Sequence, residues 1–187
     1  ARLVRGQARA DAPLVPTEFE VSFGSGNSPQ GHKDGVDVGV ARLSGKIDRI
    51  DTDPAMTARA AVVDYKTSRI PTGAEIRDKG ELQVPLYLLA LREVLGREPV
   101  GGLFVSIRRG EVRGLVDAAE GDVLPPVLTR TDVVDHEEFE AVLEAARMAA
   151  AERITRIRAG DVRHDPRDLR LCRQFCDHAA ICRVERR

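Results

Sequence analysis

No stretch of this chain stays apolar for long. The longest run, VPLYLLAL at 84–91, falls well short of the ~20 residues that a membrane-spanning helix needs, so no such helix and no membrane partner is expected. The N-terminal ARLVRGQARADAP lacks the apolar centre of a secretory signal, and a cytoplasmic location follows as the expectation. The same segment lacks an initiator Met and any helix or strand signal, so the chain reads as a domain cut from something larger. Excess positive charge is absent too. A formal net charge of −1 excludes capture of nucleic acid by bulk charge, while leaving local phosphate contacts open. Cysteine is scarce: there are three, all between 172 and 182. An odd, tight cluster without an export signal is no disulfide framework. It points to metal or redox chemistry instead.

What remains is an ordinary soluble composition, 42% hydrophobic and 32% charged over 187 residues, suited to a single domain spanning 1–187. No internal repeat or low-complexity region interrupts it. TEFEVSFG (17–24) alternates like a strand and runs into a loop rich in Gly and Ser. VDVGVARLSGKIDRIDT (36–52) reads as one long second strand, with Gly39 and Gly45 as places for a bulge or a close backbone approach. A third strand covers 61–67, and the spacing predicts an antiparallel meander. In ELQVPLYLLALREVLG the period lengthens to about 3.6, which predicts a helix to about Gly96, with Pro85 tolerated in an early turn. GGLFVSIRR and EVRGLVD suggest a further hairpin. A long helix from Asp135 to Ala159 stops at Gly160. The fold class is therefore α/β or α+β, followed by a Cys-bearing segment at 161–187.

The stretch AAVVDYKTS (60–68) carries the first chemical signal. Side chains at i and i+2 of a strand share a face, so Asp64 and Lys66 stand together while Tyr65 points away. The preceding strand places Ser44, Lys46, Asp48 and Ile50 on one face, and a turn near 53–60 brings Asp48 roughly opposite Asp64 or its neighbour. Two carboxylates and an amine then converge at one end of a sheet. Hard cations such as Mg²⁺ prefer carboxylate oxygen. An ion held there activates water and neutralises phosphodiester charge, and an ammonium nearby stabilises the transition state. On these residues alone, a plain ion pair at a strand end explains the pattern equally well.

The joint pattern decides between them. GKIDRID, then VVDYKTS, then Q-x-x-x-Y within ELQVPLYLLAL resembles the RecB-like branch of the PD-(D/E)xK nucleases, in that family's order, over about residues 17–95. The resemblance implies a restriction-endonuclease-like core: a mixed central sheet with an antiparallel meander, flanked by helices. It implies Asp48 and Asp64 as metal-binding acids, Lys66 as the catalytic lysine, and Gln83 and Tyr87 as the helical pair beside the centre and the DNA backbone. FEVSFG resembles the family's E-x-x-F-G strand, making Glu20 a further candidate metal ligand. The expected cofactor is Mg²⁺ or Mn²⁺. The family's usual helix bearing a metal-binding His is missing: His32 lies in a Gly-rich loop, and His136, His164 and His178 come too late in the chain. The N-terminal helices of the domain are therefore expected upstream of Ala1.

LCRQFCDHAAICR supplies Cys172, Cys176 and Cys182. Read alone, they form a metal site short of one ligand, completed by His178 or a distant Cys. The resemblance implies three ligands of a structural [4Fe–4S] cluster, as in AddB-type nucleases, with a fourth Cys from outside this chain. The first gap departs from the family, three residues where two are usual. The arginines from Arg163 to Arg187 read as a solvated face. Three readings follow. The first is a metal-dependent DNA exonuclease module of a helicase–nuclease in double-strand break repair, fed by a helicase region of the same chain or of a partner subunit. The second is a catalytically silent AddB-like DNA-binding or assembly module. The third is a zinc-binding interaction domain in which D-x-K is only an ion pair.

Overall fold

The computed structural model of the protein describes residues 14–25, 31–123 and 128–161. The chain divides into two compact units, Ala1–Glu152 and Arg153–Arg187. The first unit is built on a six-stranded mixed sheet. Its strands are β1 (Val15–Phe23), β4 (Gly45–Thr52), β5 (Arg59–Lys66), β6 (Glu98–Ser106), β7 (Val112–Asp117) and β8 (Val133–Val134), in the order β1-β4-β5-β6-β7-β8. The β1–β4 and β4–β5 pairs are antiparallel, β5–β6 is parallel, β6–β7 is antiparallel and β7–β8 is parallel. The antiparallel meander and the hairpin expected from the sequence are both present. So is the mixed sheet flanked by helices.

Local chemistry explains each element. The β5 stretch Ala60–Asp64 is buried residue by residue, as a strand covered on both faces requires. Its odd positions, Ala61 and Val63, join Leu14, Val100, Leu103, Val105 and Val116 in one core cluster, with Tyr65 packed against it. Its even positions turn to helix α2 (Gln83–Glu93), which packs on β5 and β6. Gly102 permits that approach. A Cβ there would lie 2.4 Å from Val84 Cγ1 and 3.0 Å from Val62 Cγ2. Any side chain at 102 would lift the start of α2, and Gln83 with it, off the sheet. No side chain of Leu82 caps α2; Glu81 does so instead, accepting from the Gln83 and Val84 amides at 2.9 and 3.3 Å.

The structure corrects two readings. Residues 36–52 are not one strand. Val36–Asp37 (β2) and Arg42–Leu43 (β3) pair with each other as a separate two-stranded ribbon, and only Gly45–Thr52 joins the main sheet. Gly39 takes a φ of 80°, its amide bound by Asp37 Oδ1 at 2.7 Å. A left-handed residue there turns the chain where alternation alone suggested continuation. Gly45 does serve close approach, since a Cβ would meet Phe23 Cζ at 2.7 Å. The second correction is an additional helix, α1 (Gly73–Lys79), between β5 and α2.

Helix α1 is held by a capping box: Glu75 N donates to Thr72 Oγ1, and Glu75 Oε2 accepts from Thr72 N. The Lys79 hydrogen bond, then the Thr72 amide and then Arg69 hold the Glu75 carboxyl at about 2, against an ordinary 4.5. A depressed acid contributes stability that is complete above its ordinary pKa and lost as pH falls through the folded value. Thr72→Ala should therefore cost about 1 kcal/mol in chemical denaturation. Glu75→Gln should flatten the stability loss between about pH 4.5 and 2, an effect trimmed by solvent screening of a side chain at the surface.

The long helix α3 spans His136–Arg158, close to the expected limits, burying Phe139, Leu143, Ala146 and Ala150. Gly160, with φ 78°, follows its end. Among the described residues no helix is long and apolar enough to cross a membrane. Cys172, Cys176 and Cys182, with the tail arginines and with His164 and His178, lie outside the described residues.

Candidate active site

Three strands and one helix bring the candidate side chains together. The β4–β5 register pairs Arg49 with Val63; continued one step, it sets Asp48 across from Asp64, on the same face. Asp48 Oδ2 accepts the Tyr65 amide at 3.0 Å, which holds the carboxylate at the β5 edge. Lys66, two residues after Asp64, places its Nζ 2.7 Å from Asp64 Oδ2 and 5.4 Å from the centre of the Phe104 ring. Asp64 and Lys66 meet on β5 as their i, i+2 spacing requires, and Asp48 stands near enough for its charge to act on Asp64.

Gln83 ties the group together. Its Nε2 donates to Asp64 Oδ1 at 2.6 Å and to the Tyr87 hydroxyl at 3.1 Å, while its Oε1 accepts from Lys66 Nζ at 2.7 Å. This network fixes the amide: reversing it would turn NH₂ towards an ammonium. Gln83 and Tyr87 stand one helical turn apart on α2. The Tyr87 ring meets Phe23 edge-on, with centroids 6.2 Å apart.

The charges are poised accordingly. Burial pushes the Asp64 carboxyl above its ordinary range; Lys66 pulls it down, and the Asp48 charge adds to the rise. Burial likewise raises the Tyr87 phenol, against the Gln83 hydrogen bond. Tyr87 is thus a neutral hydroxyl at physiological pH. Its oxygen accepts from Gln83, which leaves its proton for another acceptor.

Glu20 is engaged by a different partner. By the β1–β4 register it falls opposite Asp48, but its carboxylate pairs with Lys46. Its backbone is left-handed, φ 56°, which is strained for a residue with a Cβ. Among the described residues no group of three His, Cys, Asp or Glu side chains is arranged to hold a metal ion. His136 pairs with Asp117 at the start of α3, and His32 bridges to Phe23.

The pair Asp48 and Asp64 nonetheless suits a hard cation. Asp64 is 3% exposed. Its Oδ2 meets Lys66 Nζ at 2.7 Å and its Oδ1 meets Gln83 Nε2, while the charge of Asp48 acts on it from the neighbouring strand. Two acids this near each other, one of them buried, are an oxygen donor set of the kind a hard divalent ion favours.

A mixed sheet with an antiparallel meander, carrying acids and a lysine at the ends of adjacent strands, defines a restriction-endonuclease-like hydrolase core. The chain belongs to the PD-(D/E)XK nuclease superfamily, whose family model matches residues 1–183. A comparison with curated proteins gives no match. Members of this superfamily are in general nucleases that use Mg²⁺ or Mn²⁺, and membership points to metal-dependent nuclease activity with DNA as substrate.

Proposed function

We propose that this domain hydrolyses DNA phosphodiesters with Asp48 and Asp64 as the metal-holding acids and Lys66, Gln83 and Tyr87 as the groups around the scissile phosphate. The observation that carries this is the Gln83 amide, bonded at once to Asp64, Lys66 and Tyr87. A simple ion pair needs no such third party. A divalent ion bound by the two aspartates supplies an activated water and neutralises phosphate charge.

The chain's own groups do the rest. Lys66, within reach of Asp64 and the Gln83 carbonyl, holds an ammonium where negative charge grows in the transition state. Tyr87 offers its proton to a backbone oxygen of the DNA. Gln83 fixes the rotamers of both. Glu20 serves as a further acid when it leaves Lys46.

At the finer level we read the protein as the exonuclease module of an AddB-type helicase–nuclease in double-strand break repair, acting in the cytoplasm on DNA fed by a helicase region. In this reading 1–187 is one nuclease domain, and Cys172, Cys176 and Cys182 take three positions of a [4Fe–4S] cluster completed from elsewhere. The near-zero net charge supports a domain that receives DNA over one that must capture it.

The test is cleavage of linear single- and double-stranded DNA with Mg²⁺ or Mn²⁺. Chelation should abolish it, and Lys66→Ala should lower the rate at least ~100-fold. Cleavage unchanged in Lys66→Ala would sink the assignment. DNA binding with no cleavage at all would favour the silent module.

A further inference from the structure

The β6–β7 hairpin ends in Ile107, Arg108, Arg109, Gly110 and Glu111, all exposed. It is a tight, well-bonded turn. Ser106 N donates to Glu111 O at 2.9 Å, Gly110 N to Ser106 O at 2.8 Å and Arg109 N to Ser106 Oγ at 3.3 Å, with Gly110 at φ 68°. It is also fastened to the candidate centre: the Ile107 amide donates to the Lys66 carbonyl at 2.9 Å, and Lys66 pairs with Ser106 across β5 and β6.

The guanidiniums of Arg108 and Arg109 make no ion pair or hydrogen bond among the described residues. That is unusual in this molecule. Arg49, Arg59, Arg77, Arg92, Arg97, Arg113 and Arg147 each meet a carboxylate. Two guanidiniums without partners, side by side on a rigid tip, are an anion-binding feature with nothing on the protein to bind. Ile107, 52% exposed, adds a large apolar side chain to the same tip.

The rim continues on the other side of Lys66. Lys46, paired with Ser22 of β1, stands two residues before Asp48 on β4 and shares its face. Adjacent strands lie about 4.8 Å apart, so Lys46 on β4, Lys66 on β5 and the hairpin after β6 stand along the same end of the sheet, roughly 10 Å from β4 to β6. Asp48 and Asp64 lie one step below it.

We infer that this rim is the track for the DNA strand. Arg108 and Arg109 take phosphates on one side of the scissile bond, and Lys46, released from Glu20, takes one on the other. Ile107 packs against a base. The inference rests on Asp48, Asp64 and Lys66 as the cleavage centre only for its placement of the scissile bond; strand binding is measured separately.

The experiment is binding of a labelled single-stranded DNA to the protein in EDTA, across a salt series, with cleavage kinetics in Mg²⁺ alongside. Each phosphate contact on a single strand contributes about 0.7 to the slope of log K against log salt. Arg108→Ala with Arg109→Ala should therefore reduce the slope by about 1.4 and weaken binding roughly tenfold at 0.1 M salt. It should raise KM by a similar factor while kcat stays within about twofold. Ile107→Ala should weaken binding without changing the slope, because an apolar contact releases no counterions. A slope unchanged in the double variant, or no DNA binding by the wild type, overturns the track. Arginine-dependent binding without cleavage instead overturns the nuclease reading and leaves the track standing.

Discussion

Asp64→Asn should abolish cleavage, by on the order of a thousandfold or more, and at the same time leave the protein about as stable. The carboxylate is buried, and burial outweighs the pull of Lys66, so its pKa lies above the ordinary value. An acid with a raised folded pKa favours the fold more as pH falls through that value; ionised at neutral pH, it works against the fold. Asparagine has the shape of the protonated acid without the charge. Its carbonyl can still accept from Gln83 Nε2, now 2.6 Å from Oδ1, but its NH₂ then faces the Lys66 ammonium, which has to swing from its place 2.7 Å from Oδ2 towards solvent, its side chain being 30% exposed. That lost pairing offsets part of the gain from removing a buried charge, so the melting temperature at pH 7 should hold to within about 2 °C, and any advantage should shrink as the pH is lowered. Calorimetry of the two proteins at pH 7 and pH 4 checks the sign. A fall of several degrees would mean that Asp64 is chiefly a structural partner of Lys66, and the reading of it as a site maintained at the cost of stability would fail.

The grouping of these side chains was open to sequence reasoning because its geometry is periodic. D-x-K on a strand and Q-x-x-x-Y on a helix each fix a shared face through backbone repeat alone, and the apolar run Ala60–Val63 marked the strand that delivers Asp64. Where tertiary structure decides, the reading stopped short. Val36–Leu43 alternates well enough to pass for strand, yet Gly39 in a left-handed turn cuts it out of the main sheet. Helix α1 is too short for a 3.6 period to show, although its T-x-x-E start, Thr72 and Glu75, was a usable signal. The alternation of Glu20 put it on the correct face. The backbone pattern carried no sign that Lys46, on the next strand, would take its carboxylate. Asp132 left no trace at all. Its partners are main-chain amides from three separate segments, and an amide looks the same in every sequence.

Asp132→Ala is expected to be the most destabilising single substitution at a polar position. The side chain is completely buried. Its Oδ1 accepts from the Gly73 and Gly114 amides at 2.9 and 3.3 Å, and its Oδ2 from the Thr129 amide and hydroxyl at 2.9 and 2.7 Å, with Arg113 at 3.3 Å. One carboxylate thus closes the first turn of α1, the edge of β7 and the 128–132 loop. The packing leaves no slack for a rearrangement: a Cβ on Gly73 would stand 2.1 Å from the Thr131 carbonyl. Removing the acid strands three amides in the interior at once and takes one partner from Arg113, which keeps the Thr129 hydroxyl at 2.7 Å; this should cost about 3–5 kcal/mol in a fold whose whole stability is of order 5–15 kcal/mol. Asp132→Asn keeps the volume but aims an NH₂ at N–H donors whichever way it turns, so it should recover less than half of that loss. Urea midpoints of the three proteins measure this. A loss under about 1 kcal/mol for the alanine variant would mean that water reaches these amides, and that α1, the element leading directly to Gln83, is held by its capping box rather than by Asp132.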